Sequence, residues 1–560
     1  MHPGDRYPGG PELAATQDAP LPPDDLDQRA RQEDQDTRRT ARRWWAAAAW
    51  IAGCVALFAF LLRISLSGRV DSDGANNALQ GWDLVHGHLL LHGWMIGDAT
   101  FYFLELPLLG ISDVLFGIGN LAFHVSSSLT YLIVVIFTVA LAVTGSRGAA
   151  RVARAGVVVA ILAAPLVAGE LASGASGLIT LLEDPDHTGT TAFVLASFLL
   201  IDRLPARRFT APLLCVLLCA GQLSDLTVRY VAVPAIVLIC LYRVLMERKI
   251  RSCDALLAVA AAVSVPLESL LRAAMQHLSG YAMVQPKAYL APAGQWLHHL
   301  AYVWLNLRIL FGAVRSPDTT AATVGEVFGV ICLLAAAFGL ARVIWTWRRA
   351  GRAEQIMSVA IVVNIATYVV TPYPGALESR EIVAVLPIGA ALAARALIPA
   401  RIARAARARV VAAVAALAAL VPLAVEASAP PVTPSVAPLD AWLEAHGLTY
   451  GIAGYWDASI VTMQSGDKVK VRAVDNISEN RTFEPIWETN ALWYNPATYD
   501  PRFVIADQSD KWRDSVSDFE RRLGKPAATY RVAGWVVLIY RANLLQRIGH
   551  YAYQPFPSNS

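Results

Sequence analysis

Between Arg69 and Trp94 the chain reads RVDSDGANNALQGWDLVHGHLLLHGW, gathering Asp71, Asp73, Asp83, His86, His88 and His92 in one glycine-punctuated segment. Two carboxylates this close interact, and burial raises the pKa of at least one, which is what a general base requires. Asp71 and Asp73 could also hold a divalent cation, Mg²⁺ or Mn²⁺, because these ions favour carboxylate and water oxygens. The competing reading makes both solvated loop residues, or makes one the cap of a helix beginning near Ala75. His88 and His92 have the i, i+4 spacing of a helical metal pair. HLLLH lacks the glutamate of HExxH, however, and Gly87 and Gly93 bracket it, so contacts with headgroups or backbone are the stronger reading.

The elements that must carry these groups are apolar. Hydrophobic residues make up 55% of the 560-residue chain and charged residues 16%, with a mean hydropathy of +0.44. Soluble domains carry about 25% charge, so lipid solvates most of this chain. A net charge of +3 gives no electrostatic footprint for nucleic acid. Residues 1–42, rich in Pro, Asp, Gln and Arg, read as a disordered cytoplasmic tail. The apolar run from Trp44 to Ser65 begins after RRTARRWW, too late and too long for a cleaved signal, and reads as a retained helix with its basic flank inside.

Further apolar runs fall near 125–145, 155–171, 188–202, 211–224, 230–245, 254–274, 322–346, 356–371, 381–399 and 408–427. Every second link is arginine-rich: GSRGAARVAR, DRLPARR, YRVLMERKIRS, WRRAGRAEQ and ARIARAARAR. Lys and Arg resist translocation, so these links are cytoplasmic. The expectation is a polytopic α-helical membrane domain over 43–428 with about eleven spans, in the plasma membrane, N-terminus inside and C-terminus outside. The first outer loop is 67–124. Its apolar piece, 103–121, would turn every basic loop outward if it spanned, so it reads as interfacial or re-entrant. All 11 histidines except His2 then lie outside or in the membrane domain. The cysteines all fall within or at the ends of apolar runs, offer no CxxC pair, and read as small apolar fillers.

A Pro-rich linker, 429–437, leads to an extracytoplasmic region, 438–560, that reads as a small α/β domain. LDAWLEAHG has helical spacing, and YGIAGYW (450–456), KVKVRAV (468–474), RFVIA (502–506) and RVAGWVVLIY (531–540) read as strands. SVSDFERRLG (515–524) reads as a helix closed by glycine. No GxGxxG or Walker spacing marks a nucleotide site. The tryptophans of this region could stack on sugars or form its core.

An acidic pair just after the first span, then a helix, HG, an aromatic turn and an apolar element ending in LFG resembles the first outer loop of the GT-C membrane glycosyltransferases. That superfamily includes the protein mannosyltransferases and aminoarabinose transferases. LQGWDLVHGHLLLHGW, TFYFLELPLLG, EDPDHTGT, GQLSDLTVRYV and YWDASIVTMQSGDKVKVRAV further resemble a set of high-GC bacterial multi-pass membrane proteins of this type, over most of residues 44–540. The resemblance implies a GT-C fold whose loop carries a catalytic aspartate. The usual motif is Asp-Glu and here it is DSD, so Asp73 or Asp71 could hold that role. It also implies a sugar taken from a polyprenyl-phosphate donor, a cell-envelope acceptor, and inversion at the anomeric carbon.

The leaving phosphate needs positive charge or a metal. Outer-side candidates for substrate or phosphate binding are Arg229, Lys287, Arg308, Arg315 and Arg380, the last equally able to pair with Glu378 and Glu381 beside it. Asp186 and His187 could orient substrate, ligate a metal, or belong to a helix cap in DHTGT. Charged groups on one membrane face need water or one another. Asp71, Asp73, Asp186, Asp225 and Arg380 are therefore expected to meet in an outward-facing, water-filled cavity. Two other functions compete. One is a transporter or lipid flippase, against which the absence of an internal repeat speaks. The other is a non-catalytic scaffold with a degenerate GT-C core.

Overall fold

The computed structural model describes residues 23–167, 176–183, 186–204, 208–248, 252–283, 290–314, 320–372, 374–376, 378–400, 410, 421, 423–475, 484–485, 488–507 and 515–548. The chain divides into a small unit, 1–57, and a large one, 58–560. In the small unit the chain is helical from Pro23, the start of α1 (Pro23–Ser65), so the disordered tail expected for 1–42 does not hold over 23–42. Proline at a helix start loses no hydrogen bond, and DDLDQRARQEDQ is built largely of good helix formers. Trp44, Trp45, Trp50, Ile51 and Val55 of α1 are exposed, as a lipid-facing helix requires.

Seven described helices are long and apolar enough to cross a membrane: Trp44–Ser65, Asn120–Val143, Ala149–Leu166, Thr227–Glu247, Cys253–His277, Thr323–Trp345 and Arg352–Val370. Three further expected runs form α6 (Thr188–Arg203), α7 (Thr210–Ser224) and α13 (Val385–Leu397), of 16, 15 and 13 residues. These are shorter than the ~20 residues a perpendicular span needs. The run expected at 408–427 lies largely outside the described residues.

The segment between α1 and α4 (Asn120–Val143) folds back on itself. α2 (Ser72–Val85) crosses α3 (Glu105–Phe116) at two glycines. A Cβ on Gly81 would come within 2.8 Å of the Leu106 carbonyl, and one on Gly110 would collide with the Gly81 carbonyl. α3 has 12 residues, about 18 Å at 1.5 Å per residue, and cannot span. Ile111, Val114, Leu115 and Phe116 are exposed while Leu106 and Leu109 are buried, the pattern of an interfacial helix. Behind it stands α4 (Asn120–Val143).

The C-terminal region is a mixed six-stranded sheet, ordered β5-β4-β3-β7-β9-β8. In chain order these are β3 (Tyr450–Ala453), β4 (Lys470–Asp475), β5 (Glu484–Pro485), β7 (Phe503–Asp507), β8 (Ala528–Val532) and β9 (Trp535–Ile539). β3 pairs parallel with both β4 and β7, and the outer pairs are antiparallel. Side-chain alternation sends Ala453, Val471, Phe503 and Val537 to one face, where α14 (Ala437–Ala445) and α15 (Tyr455–Gln464) cover them. Ile452, Val504, Val536 and Leu538 go to the other, against α16 (Val516–Leu523).

Two strand expectations are corrected. YGIAGYW does not continue as a strand past Ala453: Gly454 caps α15, whose Ala458, Val461 and Thr462 are buried at helical spacing. RVAGWVVLIY is not one strand but the end of β8 and all of β9, turned at Ala533 (φ 48°) and Gly534 (φ 101°). Two consecutive residues at positive φ make the tight hairpin turn that matches strand twist. A second, three-stranded sheet joins the regions: β1 (Trp94–Ile96) of the outer loop pairs parallel with β2 (Ala282–Met283) and antiparallel with β6 (Thr489–Asn490).

Candidate active site

α2 begins three residues earlier than Ala75, because Asp71 caps it: one carboxylate oxygen accepts from the Gly74 N–H at 2.9 Å. Desolvation and the neighbouring Asp73 push the Asp71 carboxyl up to about 8, so it is mostly a neutral acid at pH 7. Asp73 lies within the first turn of α2 and points elsewhere. The Tyr455 hydroxyl donates to its Oδ1, and its Oδ2 is 3.7 Å from Arg380 Nη1. Asp71 thus anchors the helix and Asp73 keeps a charge-paired carboxylate.

Arg380 stands at the centre of the cluster. Besides Asp73, its Nη1 donates to Asp186 Oδ2 at 3.2 Å and its Nε to Glu378 Oε2 at 3.3 Å. It is carried on a short 3₁₀ turn, Ser379–Ile382, which is held where Ser379 Oγ meets Thr180 Oγ1 at 2.7 Å. The ion pair with Glu378 foreseen as an alternative is present, and so are contacts with two acids distant in sequence.

Next to it, His187 opens α6 in the left-handed backbone conformation (φ 61°), with no side-chain cap on the helix. Its Nδ1 is 2.5 Å from Asp225 Oδ2, and its Nε2 is 3.7 Å from Glu381 Oε1. Burial works against a charge on His187, but the Asp225 and Glu381 carboxylates outweigh it and hold its pKa well above the usual histidine value. Burial likewise works against an ionised Asp225. The imidazolium and the Thr227 N–H, at 2.7 Å, outweigh that and keep it below the ordinary aspartate value. Asp225 is fixed by the segment between α2 and α3, since Thr100 and Phe101 N–H both donate to the Ser224 carbonyl.

The C-terminal region closes the cluster. Ser72 Oγ donates to the Tyr455 carbonyl at 2.9 Å and Ser459 Oγ to Asn76 Oδ1 at 2.8 Å, seating α15 on α2. The Tyr455 hydroxyl also contacts Glu488 Oε2. Burial, then the charge of Asp73, pushes Glu488 up to about 8. The groups therefore meet as expected, but as a packed, charge-paired cluster. The cavity beside Gly74, Asn77, Phe101, Glu105 and Asp186 is about 20 Å³, room for a single water.

The fold as a whole has a counterpart among solved structures. ArnT from Cupriavidus metallidurans bound to undecaprenyl phosphate aligns over 89% of this chain and 99% of its own, with a TM-score of 0.51 at 11% identity. The chain shares its fold with this structure. The Archaeoglobus fulgidus oligosaccharyltransferase AglB, in complex with an inhibitory peptide and a dolichol-phosphate, aligns at a TM-score of 0.42 and 11% identity over 83% of this chain and 70% of its own. No family model matches the sequence, and no curated protein matches it.

The other candidates from the sequence disperse. Arg229 pairs with Glu268, a buried acid also bound by Arg272. Arg308 donates to the Ala313 carbonyl at 2.9 Å and lies 3.9 Å from Glu326. Lys287 and Arg315 lie outside the described residues. His88 and His92 form no helical pair, because α2 ends at Val85; His92 contacts the Ser279 carbonyl instead. Among the described residues no group of three or more His, Cys, Asp or Glu side chains is set to hold a metal ion.

Three site residues were not singled out from the sequence: Glu105, Tyr455 and Glu488. Glu105 carried a signal, an acid inside an apolar segment, which is costly unless used. It is buried against Gly189 with neither carboxylate oxygen hydrogen-bonded, and burial raises it to about 8. Tyr455 and Glu488 carried none, since only tertiary packing brings the C-terminal region to α2.

Proposed function

We propose that the protein transfers a sugar from a polyprenyl-phosphate donor to a cell-envelope acceptor on the outer side of the plasma membrane, with Asp73 as general base. The observation that carries this reading is the placement of Asp73 on the first outer loop of a GT-C fold, 3.7 Å from Arg380. The ArnT structure, bound to undecaprenyl phosphate, supports a lipid-phosphate carrier as the donor class.

In the reaction the acceptor O–H bond breaks and its proton passes to Asp73. The acceptor oxygen bonds to the anomeric carbon from the face opposite the phosphate, so configuration inverts. The carbon–oxygen bond to the polyprenyl phosphate breaks, and the charge it leaves needs nearby cations. Arg380 is the nearest, with the His187 imidazolium behind it. Asp71, neutral and capping α2, holds the base in place.

The topology that accompanies this reading has eleven spans, the N-terminus inside and the C-terminal region outside, on the strength of the arginine-rich alternate links. Reporter fusions after Arg154, Arg208 and Arg352 should read as cytoplasmic, and a fusion after Ser560 as external.

The deciding experiment uses purified protein in proteoliposomes, undecaprenyl phosphate carrying radiolabelled pentoses or hexoses, and envelope extract as acceptor. Label should transfer, and Asp73→Asn should lower the rate about 10²–10⁴-fold. Label that crosses the vesicle without bond cleavage would identify a transporter. Undiminished transfer by the Asp71→Asn/Asp73→Asn double variant would remove both carboxylates from the mechanism.

A further inference from the structure

Tyr455 Oη lies within hydrogen-bonding reach of two carboxyl groups, Asp73 Oδ1 and Glu488 Oε2. A phenol has one hydrogen to donate. It can therefore satisfy only one ionised carboxylate, and the second contact is favourable only if that carboxyl is itself protonated and donates back to the phenolic oxygen. The surroundings decide which carries the proton. Asp73 Oδ2 lies 3.7 Å from the Arg380 guanidinium, so the cation faces Asp73 and the phenolic hydrogen is assigned to this carboxylate. Glu488 is packed against Gly97, has its N–H committed to the Met95 carbonyl, and sits in a left-handed conformation (φ 58°) uncommon for a residue with a Cβ. Backbone held off its ordinary range clusters at functional sites.

Building on the reading of Asp73 as base, we infer that Tyr455 and Glu488 are its positioning residues. Glu488, as a neutral acid, donates to Tyr455 Oη; this turns the phenolic hydrogen onto Asp73 Oδ1, keeps Asp73 ionised, and leaves Oδ2 to take the proton of the acceptor. The charged and titratable groups facing this pair are Asp71, Asp186, Asp98, Arg380 and the two partners themselves. A hydrogen bond donated to an ionised carboxylate favours that form over the protonated one. During transfer Tyr455 and Glu488 keep their own protons. Only the acceptor's proton moves, to Asp73 and then to solvent once the product has left. The C-terminal region thereby completes the site instead of merely covering it.

The test is the pH profile of kcat/KM in the proteoliposome assay, with full-length Tyr455→Phe, Glu488→Ala and Glu488→Gln. Tyr455→Phe keeps the backbone carbonyl bound by Ser72, so the interface stays seated. It should cut the rate at least tenfold at neutral pH and move the acid limb up by about one to two pH units, the worth of a hydrogen bond to a charged group. Glu488→Ala should behave alike. Glu488→Gln, whose side-chain amide donates to Tyr455 as the neutral acid does, should restore most of what Glu488→Ala loses. An infrared difference spectrum at pH 7, which needs no turnover, should show one protonated-carboxyl band lost in Glu488→Gln. An unmoved acid limb in Tyr455→Phe, a Glu488→Gln as impaired as Glu488→Ala, or an unchanged infrared band would overturn the assignment. Failure of the wild-type protein to transfer any label would instead overturn the glycosyltransferase reading, and the infrared result would still stand on its own.

Discussion

Tyr455 donates its phenolic hydrogen bond to Asp73, a residue 382 positions earlier in the chain. That contact ties the C-terminal α/β region to the first turn of the outer-loop helix, and the consequences of the cluster around it can be measured one residue at a time.

Asp71 and Asp73 should separate cleanly on mutation. Asp71→Ala removes the oxygen that caps α2 and should destabilise the protein by about 1 kcal/mol, read as a lower thermal midpoint in detergent. Asp71→Asn keeps an accepting oxygen and resembles the neutral acid, so its midpoint should stay near that of the wild type. An Asp71→Asn variant as unstable as Asp71→Ala would show that a charge, not a cap, is needed at this position.

Two of the arginines singled out from the sequence, Arg380 and Arg229, should also part company. Arg380→Gln leaves Asp73, Asp186 and Glu378 without their shared cation, and transfer should fall at least tenfold at neutral pH and recover partly at higher pH. Arg229→Gln removes one of two partners of the buried Glu268 and should lower the thermal midpoint, with little specific effect on turnover per folded molecule. Equal turnover losses in the two variants would argue that Arg229 also meets substrate.

Stability should fall as pH rises. Burial disfavours the charge of the Glu105 carboxyl and pushes it up to about 8 in the folded protein, from the ordinary glutamate value of 4.5. Between those values the native state binds more protons than the unfolded one, so its contribution is fully present below pH 4.5 and lost as pH climbs through 8. The slope for this one group is at most about 1.4 kcal/mol per pH unit. Thermal midpoints measured from pH 5 to 9 should decline, and Glu105→Gln should flatten the decline. A slope identical to that of the wild type would show that Glu105 is not the titrating group.

Gly110→Ala should act at a distance. The added methyl collides with the Gly81 carbonyl and forces α3 away from α2, which carries Asp71 and Asp73. Overpacking of this kind costs about 1–3 kcal/mol, and activity should fall further than the stability loss alone explains. Gly87→Ala meets no atom within 4 Å, so any loss there reflects its positive φ of 96° alone and should leave the α2–α3 crossing intact.

The sequence by itself determined what local rules can reach. Runs of apolar residues specify helices long enough for lipid, because backbone polar groups have no other partner there. The charges marked Asp71, Asp73, Asp186, Asp225 and Arg380 as groups expected to share a water-filled cavity; in the structure Asp73 and Asp186 pack against Arg380, while Asp225 pairs with His187. The brevity of α3 follows from Gly117 ending it, and the C-terminal strands follow from their alternation. What only the tertiary structure decided is the division of labour within that set. Asp71 is a cap and Asp73 the carboxylate that meets Tyr455 and Arg380 because α2 starts at Ser72, a boundary set by one side-chain hydrogen bond. Arg229 looked as suitable as Arg380 until Glu268, one helix away, took it. Tyr455 and Glu488 gave no local sign, since a strand and a helix differ little over YGIAGYW, and their chemistry arises only when α15 docks on α2. Pairing between distant charges depends on distances of a few ångströms, and no spacing along the chain encodes those.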